Sequence, residues 1–137
     1  MSAGNESVTQ YPITDAISVM AARRGGLESA QNIGFSQADA TKIAVVISEL
    51  GRNIVNYAGE GMVTIIANQD VMGQIYIKII AEDNGPGIAN LEMALAGGKS
   101  TSGGLGLGLS GSKRMMDEFA IETAVGQGTI VSATKWL

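Results

Sequence analysis

Residues 74–88 read QIYIKIIAEDNGPGI, a β-branched run that leads directly into a glycine-rich turn. The first part is rich in isoleucine and predicts a strand from Gln74 to Glu82. Side chains two apart share one face of a strand, which predicts an apolar row of four residues: Ile75, Ile77, Ile79 and Ala81. Asp83 continues this row, so its carboxylate is placed to meet a buried hydrogen-bond donor, such as the exocyclic amine of adenine.

The turn after this strand, Asp83 to Gly87, admits two interpretations. Gly85 and Gly87 allow backbone conformations that side chains forbid and permit the close approach of a ligand. The Asn-Gly and Pro-Gly pairs are equally typical of a tight turn without a ligand. Taken alone, the turn favours neither interpretation.

A helix upstream carries the second group of candidate residues. Ser36 is a suitable N-cap, and an apolar stripe follows at helical spacing: Ile43, Val46, Ile47, Leu50 and Ile54. Glu49 and Asn53 are four residues apart and therefore share a face beside this stripe, and Asn56 extends the same row. The alternative is a solvated helix flank, but asparagine is a mediocre helix former and two of them suggest a further role.

A glycine-rich segment forms the third group. It reads GGKSTSGGLGLGL over residues 97–109. A glycine loop that enters a helix presents free N–H groups to phosphate, and Lys99, Ser100 and Thr101 could add contacts. The alternative is a flexible linker. Gly98-Lys99-Ser100 resembles the end of a P-loop, but the glycine that a P-loop requires earlier is missing. Residues Gly106–Gly111 match G-x-G-x-x-G, but no strand precedes them. This second observation disfavours a Rossmann oxidoreductase.

The remaining sequence predicts a small domain with more strands than helices. The predicted strands lie at 6–13, 62–68, 119–125 and 129–136, and a turn is predicted at 70–73. The predicted helices lie at 16–32, at 91–96, and from within residues 105–109 to about Asp117. We expect Gly25-Gly26 to interrupt the first of these helices. This order predicts an α+β fold, a two-layer α/β sandwich with a mixed, mostly antiparallel sheet and helices on one face. We expect residues 1–137 to form a single domain.

Composition excludes several kinds of chemistry. The 137 residues include no cysteine and no histidine, so disulfides, thiolate nucleophiles and the commonest general base are missing. Proton abstraction must then fall to a carboxylate, lysine or tyrosine, and a bound metal should be a hard ion such as magnesium. With a net charge of −4 and no basic run, we expect no nucleic-acid partner. The absence of a long apolar run or signal pattern predicts no membrane association and a cytoplasmic protein.

Together and in this order, the three groups resemble the GHKL ATPases, which have the Bergerat ATP-binding fold. The resemblance rests on Glu49-x-x-x-Asn53, Asp83-x-Gly85-x-Gly87, the glycine run at 103–109 and a late Gly128-Thr129. It covers nearly the whole chain. Gyrase-like, Hsp90-like and MutL-like members need further domains to couple ATP to motion, and histidine kinases need a histidine. The resemblance therefore implies the freestanding bacterial serine kinases and anti-sigma factors. Within that branch, Glu49–Ala58 and Gly104–Phe119 look most like the switch kinases of the stressosome.

The resemblance implies a role for each position. Glu49 would be the general base, Asn53 would hold Mg²⁺, and Asp83 would accept from the adenine amine with support from Thr129. The other implied ATP-binding residues border the base or wrap the phosphates: Asn56, Gly85, Gly87, Ile88, Lys99, Ser100, Thr101, Gly104, Leu105, Gly106, Leu107 and Gly108. Relatives among histidine kinases usually carry lysine where this chain has Asn56, which is a departure from the pattern.

The implied activity is Mg-ATP-dependent phosphorylation of serine or threonine in a protein. The implied substrates are STAS-domain proteins of a stressosome, after which the released kinase would bind and activate a PP2C-type phosphatase. The alternative within the same branch is an anti-sigma factor, which sequesters a sigma factor in an ATP-dependent manner.

Overall fold

The computed structural model describes residues 6–89 and 108–137. Their secondary structure, in chain order, is β1 (Ser7–Ile13), α1 (Ala16–Asn32), α2 (Gln37–Asn53), a π-helical turn (Ile54–Ala58), β2 (Gly61–Gln69), β3 (Ile75–Asp83), α3 (Leu109–Met115), β4 (Glu118–Ala124) and β5 (Gly128–Trp136). The predicted elements that fall within these residues are present, with bounds that differ by a few residues. The short helix predicted at 91–96 lies outside the described residues.

The strands form one five-stranded sheet in the order β1-β2-β3-β5-β4. All four strand pairs are antiparallel. The α+β prediction is therefore confirmed, and the sheet is antiparallel at every described pairing. The β3 strand lies at the centre of the sheet. Its last residue, Asp83, therefore lies in the middle of the row of strand ends, opposite Gly61 of β2 and Thr129 of β5.

The core lies between α2 and one face of the sheet. Three of the four residues in the predicted apolar row of β3 are buried, namely Ile77, Ile79 and Ala81, and Ile75 is half-buried. The predicted stripe of α2 meets this row, with Ile43, Val46 and Ile47 completely buried. Burial of these side chains supplies the main driving force for folding and fixes α2 across the sheet.

Both long helices begin at side-chain caps. The Asp15 carboxylate accepts from the backbone N–H of Ser18 at 2.8 Å, and Ser18 Oγ accepts from the N–H of Asp15 at 3.1 Å. Ser36 Oγ accepts from the N–H of Asp39 at 3.1 Å and begins α2. Each cap satisfies N–H groups that the first turn of a helix leaves without partners.

The expected interruption of α1 at Gly25-Gly26 is wrong, because the helix runs continuously from Ala16 to Asn32. The two glycines serve packing instead. A Cβ at Gly25 would lie 2.6 Å from Cζ of Tyr11 on β1, and one at Gly26 would overlap the Ile47 side chain on α2. The missing side chains let α1 approach both neighbours closely, which offsets the helix propensity lost at glycine.

Candidate functional site

Helix α2 holds Glu49 and Asn53 on one face near its C-terminal end. Glu49 is about one-third exposed (34% of its side chain), and Asn53 is half-buried. The neighbouring residue Leu50 is buried in the core, which fixes the rotation of the helix and hence the direction of this face. Asn56 lies in the π-helical turn that follows, so the α-helical spacing used to place it beside Asn53 does not apply to it.

Asp83 lies at the end of β3 and shapes the turn that follows. Its Oδ1 accepts a hydrogen bond from the backbone N–H of Gly85 at 2.8 Å, the geometry of an Asx turn. One oxygen of this carboxylate is therefore used to hold the turn. Gly85 in turn packs on the π-helical turn, because a Cβ there would lie 2.6 Å from Cβ of Ala58. This contact brings the end of the π-helical turn and the Asp83 turn together.

The β4–β5 hairpin holds the other side of the same turn. The N–H of Gly126 donates to the carbonyl of Pro86 at 2.8 Å. Gly87 has a φ of +79°, and a Cβ there would overlap the carbonyl of Ala124. Gly87 is thus required both by the backbone conformation and by the contact with the hairpin.

A pair of threonines links this turn to β5. Thr123 Oγ1 accepts from the N–H of Ile88 at 2.9 Å and lies 2.9 Å from Thr129 Oγ1. Thr129 pairs with Asp83 across the β3–β5 register, so the two threonines lie next to the last residue of β3. Thr123 was missed at the sequence level because a lone threonine in a predicted strand carries no signal of its own. Only the hairpin register shows that it faces Ile88.

The last glycine of the glycine-rich segment lies against Glu49. Gly108 is the N-cap of α3 with a φ of +71°. A Cβ at this position would lie 3.1 Å from Cδ of Glu49 and would overlap its Oε1. Within the described part of the chain, Gly108 therefore lies against Glu49 on α2, and the π-helical turn that follows α2 lies against the Asp83 turn.

Several candidate residues lie outside the described residues: Lys99, Ser100, Thr101, Gly104, Leu105, Gly106 and Leu107. Their implied contacts with phosphate stay predictions.

Among residues 6–89 and 108–137, no three Asp or Glu side chains cluster in a way that could hold a metal ion. Over the same residues, no helix combines the length and the apolarity that a bilayer crossing requires.

The donor set fits Mg-ATP. Asn53 offers an amide oxygen, a hard oxygen ligand of the kind that Mg²⁺ takes from proteins. Mg²⁺ bound to a nucleotide takes one or two ligands from the protein and the rest from phosphate and water, so a cluster of three acidic residues is not required. Gly108 places the end of a glycine-rich backbone beside Glu49, one helical turn from Asn53, where phosphate oxygens would lie.

Comparison with known proteins agrees with this arrangement. Residues 38–137 match the family described as histidine kinase-, DNA gyrase B-, and HSP90-like ATPase. The match covers most of the chain, from the start of α2 to the last residue, and includes every candidate site residue. The chain therefore belongs to this family, whose members use ATP.

A curated relative makes the assignment more specific. The chain is 48% identical over 119 residues to the serine/threonine-protein kinase RsbT of Bacillus subtilis (strain 168), an alignment that covers 87% of this chain and 89% of the relative. The alignment covers most of both chains, and the relative is a serine/threonine-protein kinase. The resemblance to the GHKL serine kinases is therefore confirmed.

Proposed function

We propose that this chain is a Mg-ATP-dependent serine/threonine-protein kinase that phosphorylates STAS-domain proteins of a stressosome and then, once released, binds and activates a PP2C-type phosphatase. The kinase class is supported by the 48% identity to a serine/threonine-protein kinase. The observation that carries the mechanism is the contact of Gly108 with Glu49, which brings the glycine-rich segment to the one carboxylate of the α2 face.

The chemistry assigns one role to each group of residues. Bound Mg²⁺ would neutralise phosphate charge, and Asn53 would hold it through the amide oxygen. Asp83, with Thr129 beside it, would accept from the adenine amine. Gly85, Gly87 and Ile88 would border the base, and Gly104, Gly106 and Gly108 would surround the phosphates.

Glu49 would act as the general base on the substrate. It takes the proton of the serine or threonine hydroxyl while that oxygen bonds to the terminal phosphorus and the bond to the β–γ bridging oxygen breaks, which leaves ADP. With no histidine in the chain, a carboxylate beside the phosphate-binding segment is the group best placed for this task.

The test is phosphate transfer to a purified STAS-domain partner. Labelled ATP, Mg²⁺ and the partner are incubated with wild-type protein and with Glu49→Gln, which keeps the size of the side chain but removes its basicity. We expect transfer by the wild type and a loss of roughly 10²–10⁴-fold in the variant, the range that general-base removal produces. The affinity for ADP should stay the same, because Glu49 is not assigned to nucleotide binding.

The partner-switching part of the proposal needs a separate measurement. Immobilised PP2C-type phosphatase should retain the kinase, and unphosphorylated STAS partner should compete for it. Phosphorylated partner should not compete. If the kinase is retained by a sigma factor instead, the chain acts as an anti-sigma factor, and the stressosome assignment fails even though the family assignment stands.

A further inference from the structure

The Glu49 carboxylate is held from two sides. Arg52, one helical turn further along α2, donates through Nη2 to Glu49 Oε2. The other oxygen, Oε1, faces the backbone of Gly108. The arginine was missed at the sequence level, because a lone basic residue on an exposed helix flank is typical of a solvated surface.

Stability alone does not account for this ion pair. The Arg52 side chain is 53% exposed, and exposed pairs on one helix contribute only a few tenths of a kcal/mol. The same helix offers a comparison, since Lys42 and Asp39 form a second pair at the same spacing with Lys42 51% exposed. The two pairs differ in their surroundings, because only the Arg52 pair includes a residue that contacts Gly108.

The geometry points to Arg52 as a positioning residue for Glu49, an inference that rests on the proposed kinase function. A guanidinium group is planar and directional, so its bond to Oε2 restricts the rotation of the glutamate side chain. Oε1 is thereby kept beside Gly108, where the substrate hydroxyl and the terminal phosphate would meet. Small displacements of a reacting group lower the rate steeply, by about 10²-fold for 1 Å.

The test compares Arg52→Ala with Lys42→Ala as the matched control. We expect Arg52→Ala to lower kcat for phosphate transfer about 10–100-fold, with the KM for ATP and the affinity for ADP within twofold of wild type. Lys42→Ala should leave kcat unchanged. Arg52→Lys should recover part of the loss, because lysine keeps the charge but not the planar geometry.

Two further measurements separate positioning from a general structural effect. In a Glu49→Gln background, Arg52→Ala should cause no further loss, since residues that act as a unit are not additive. A crystal structure of nucleotide-free Arg52→Ala should show Glu49 in more than one rotamer or turned away from Gly108. Both readouts depend on the link to Glu49 and not on folding in general.

The inference would be overturned by an Arg52→Ala variant as active as Lys42→Ala, by full additivity with Glu49→Gln, or by an unchanged single Glu49 rotamer. A drop in kcat that comes with weaker ADP binding and a lower Tm would assign Arg52 a structural role. Failure of the proposed function looks different, since wild-type protein would then transfer no phosphate to the STAS partner.

Discussion

At the scale of single residues, the two carboxylate oxygens of Asp83 have different roles. Oδ1 holds the turn through the N–H of Gly85, and the other oxygen is assigned to the adenine amine. Asp83→Asn keeps an oxygen for the turn but replaces the second acceptor with a competing donor. We therefore expect ATP affinity to fall by about 1–2 kcal/mol, a factor of roughly 5–30 in Kd, with little change in Tm.

Calorimetric titration with ATP and Mg²⁺ measures this change, and Asp70→Asn is a suitable control. Asp70 also accepts backbone N–H groups in a turn, from Met72 at 2.9 Å and Gln74 at 2.8 Å, but at the β2–β3 loop far from Asp83 in the sheet register. Equal ATP affinity in Asp83→Asn and wild type would contradict the adenine role.

The residues that could be predicted from the sequence are those whose positions follow from the periodicity of a helix or a strand. Asp83 follows from strand parity and Glu49 from helical spacing, and both lie where those periods place them. Arg52 lies one helical turn from Glu49, so spacing alone places the two side chains together, but its role depends on the contact of Glu49 with Gly108. Thr123 could not be predicted from a period, because its role comes from a contact between distant segments. The contact between Thr123 and Ile88 spans 35 residues of sequence.

At the scale of elements, Gly85 is where the π-helical turn and the Asp83 turn pack together. An added Cβ would lie 2.6 Å from Cβ and 2.9 Å from Cα of Ala58, so one of the two segments must shift. Overpacking of this kind costs about 1–3 kcal/mol. Gly85→Ala should therefore lower Tm, by roughly 3–5 °C per kcal/mol at this chain length, and should weaken ATP binding as well.

Gly111→Ala is the control for this substitution, since no atom lies within 4 Å of a Cβ there. Because Gly111 lies inside α3, alanine should raise the free energy of unfolding by about 0.5–1 kcal/mol. Thermal unfolding of both variants checks the pair. A Gly85→Ala variant as stable as wild type would mean that the two segments can separate freely.

The short helix α3 contains a buried polar group for which the described residues supply no hydrogen-bond partner. Ser112 is 2% exposed, and its Oγ has no partner among the described residues. An unsatisfied buried hydroxyl costs about 1–3 kcal/mol, so Ser112→Ala should raise the free energy of unfolding by about 1 kcal/mol. Urea unfolding of Ser112→Ala and of Ser110→Ala, half-buried in the same helix, separates this gain from helix propensity. A less stable Ser112→Ala would contradict the interpretation.

Helix and strand identities were predictable because hydrophobic periodicity and capping residues are local properties. The Ser36 cap and the apolar stripe of α2 are both present. The interruption at Gly25-Gly26 was wrongly expected because propensity weighs a residue in isolation. The reason for glycine at these positions is the close packing of α1 on Tyr11 and Ile47, which no local pattern reveals. The π-helical turn at Ile54–Ala58 packs against β2 and β3, and α-helical spacing did not predict it.

At the scale of the whole molecule, the candidate site is made from segments that are far apart in sequence. Glu49, Asp83, Gly108 and Thr129 come from α2, β3, the N-cap of α3 and β5, and the central position of β3 in the sheet brings its last residue between β2 and β5. A ligand that contacts all four segments should stabilise the folded chain as a unit, because the unfolded chain has no such site.

Mg-ATP should therefore raise Tm in a single transition. At a concentration 100 times its Kd, a ligand adds about 2.7 kcal/mol to the free energy of unfolding, which corresponds to roughly 8–13 °C here. GTP should have a smaller effect, because its base carries a carbonyl where adenine has the amine assigned to Asp83. Thermal unfolding with ATP, ADP and GTP in Mg²⁺ measures the order. Two transitions, with only one shifted by ATP, would mean that the four segments do not unfold together, and equal shifts by ATP and GTP would contradict the selection of adenine by Asp83.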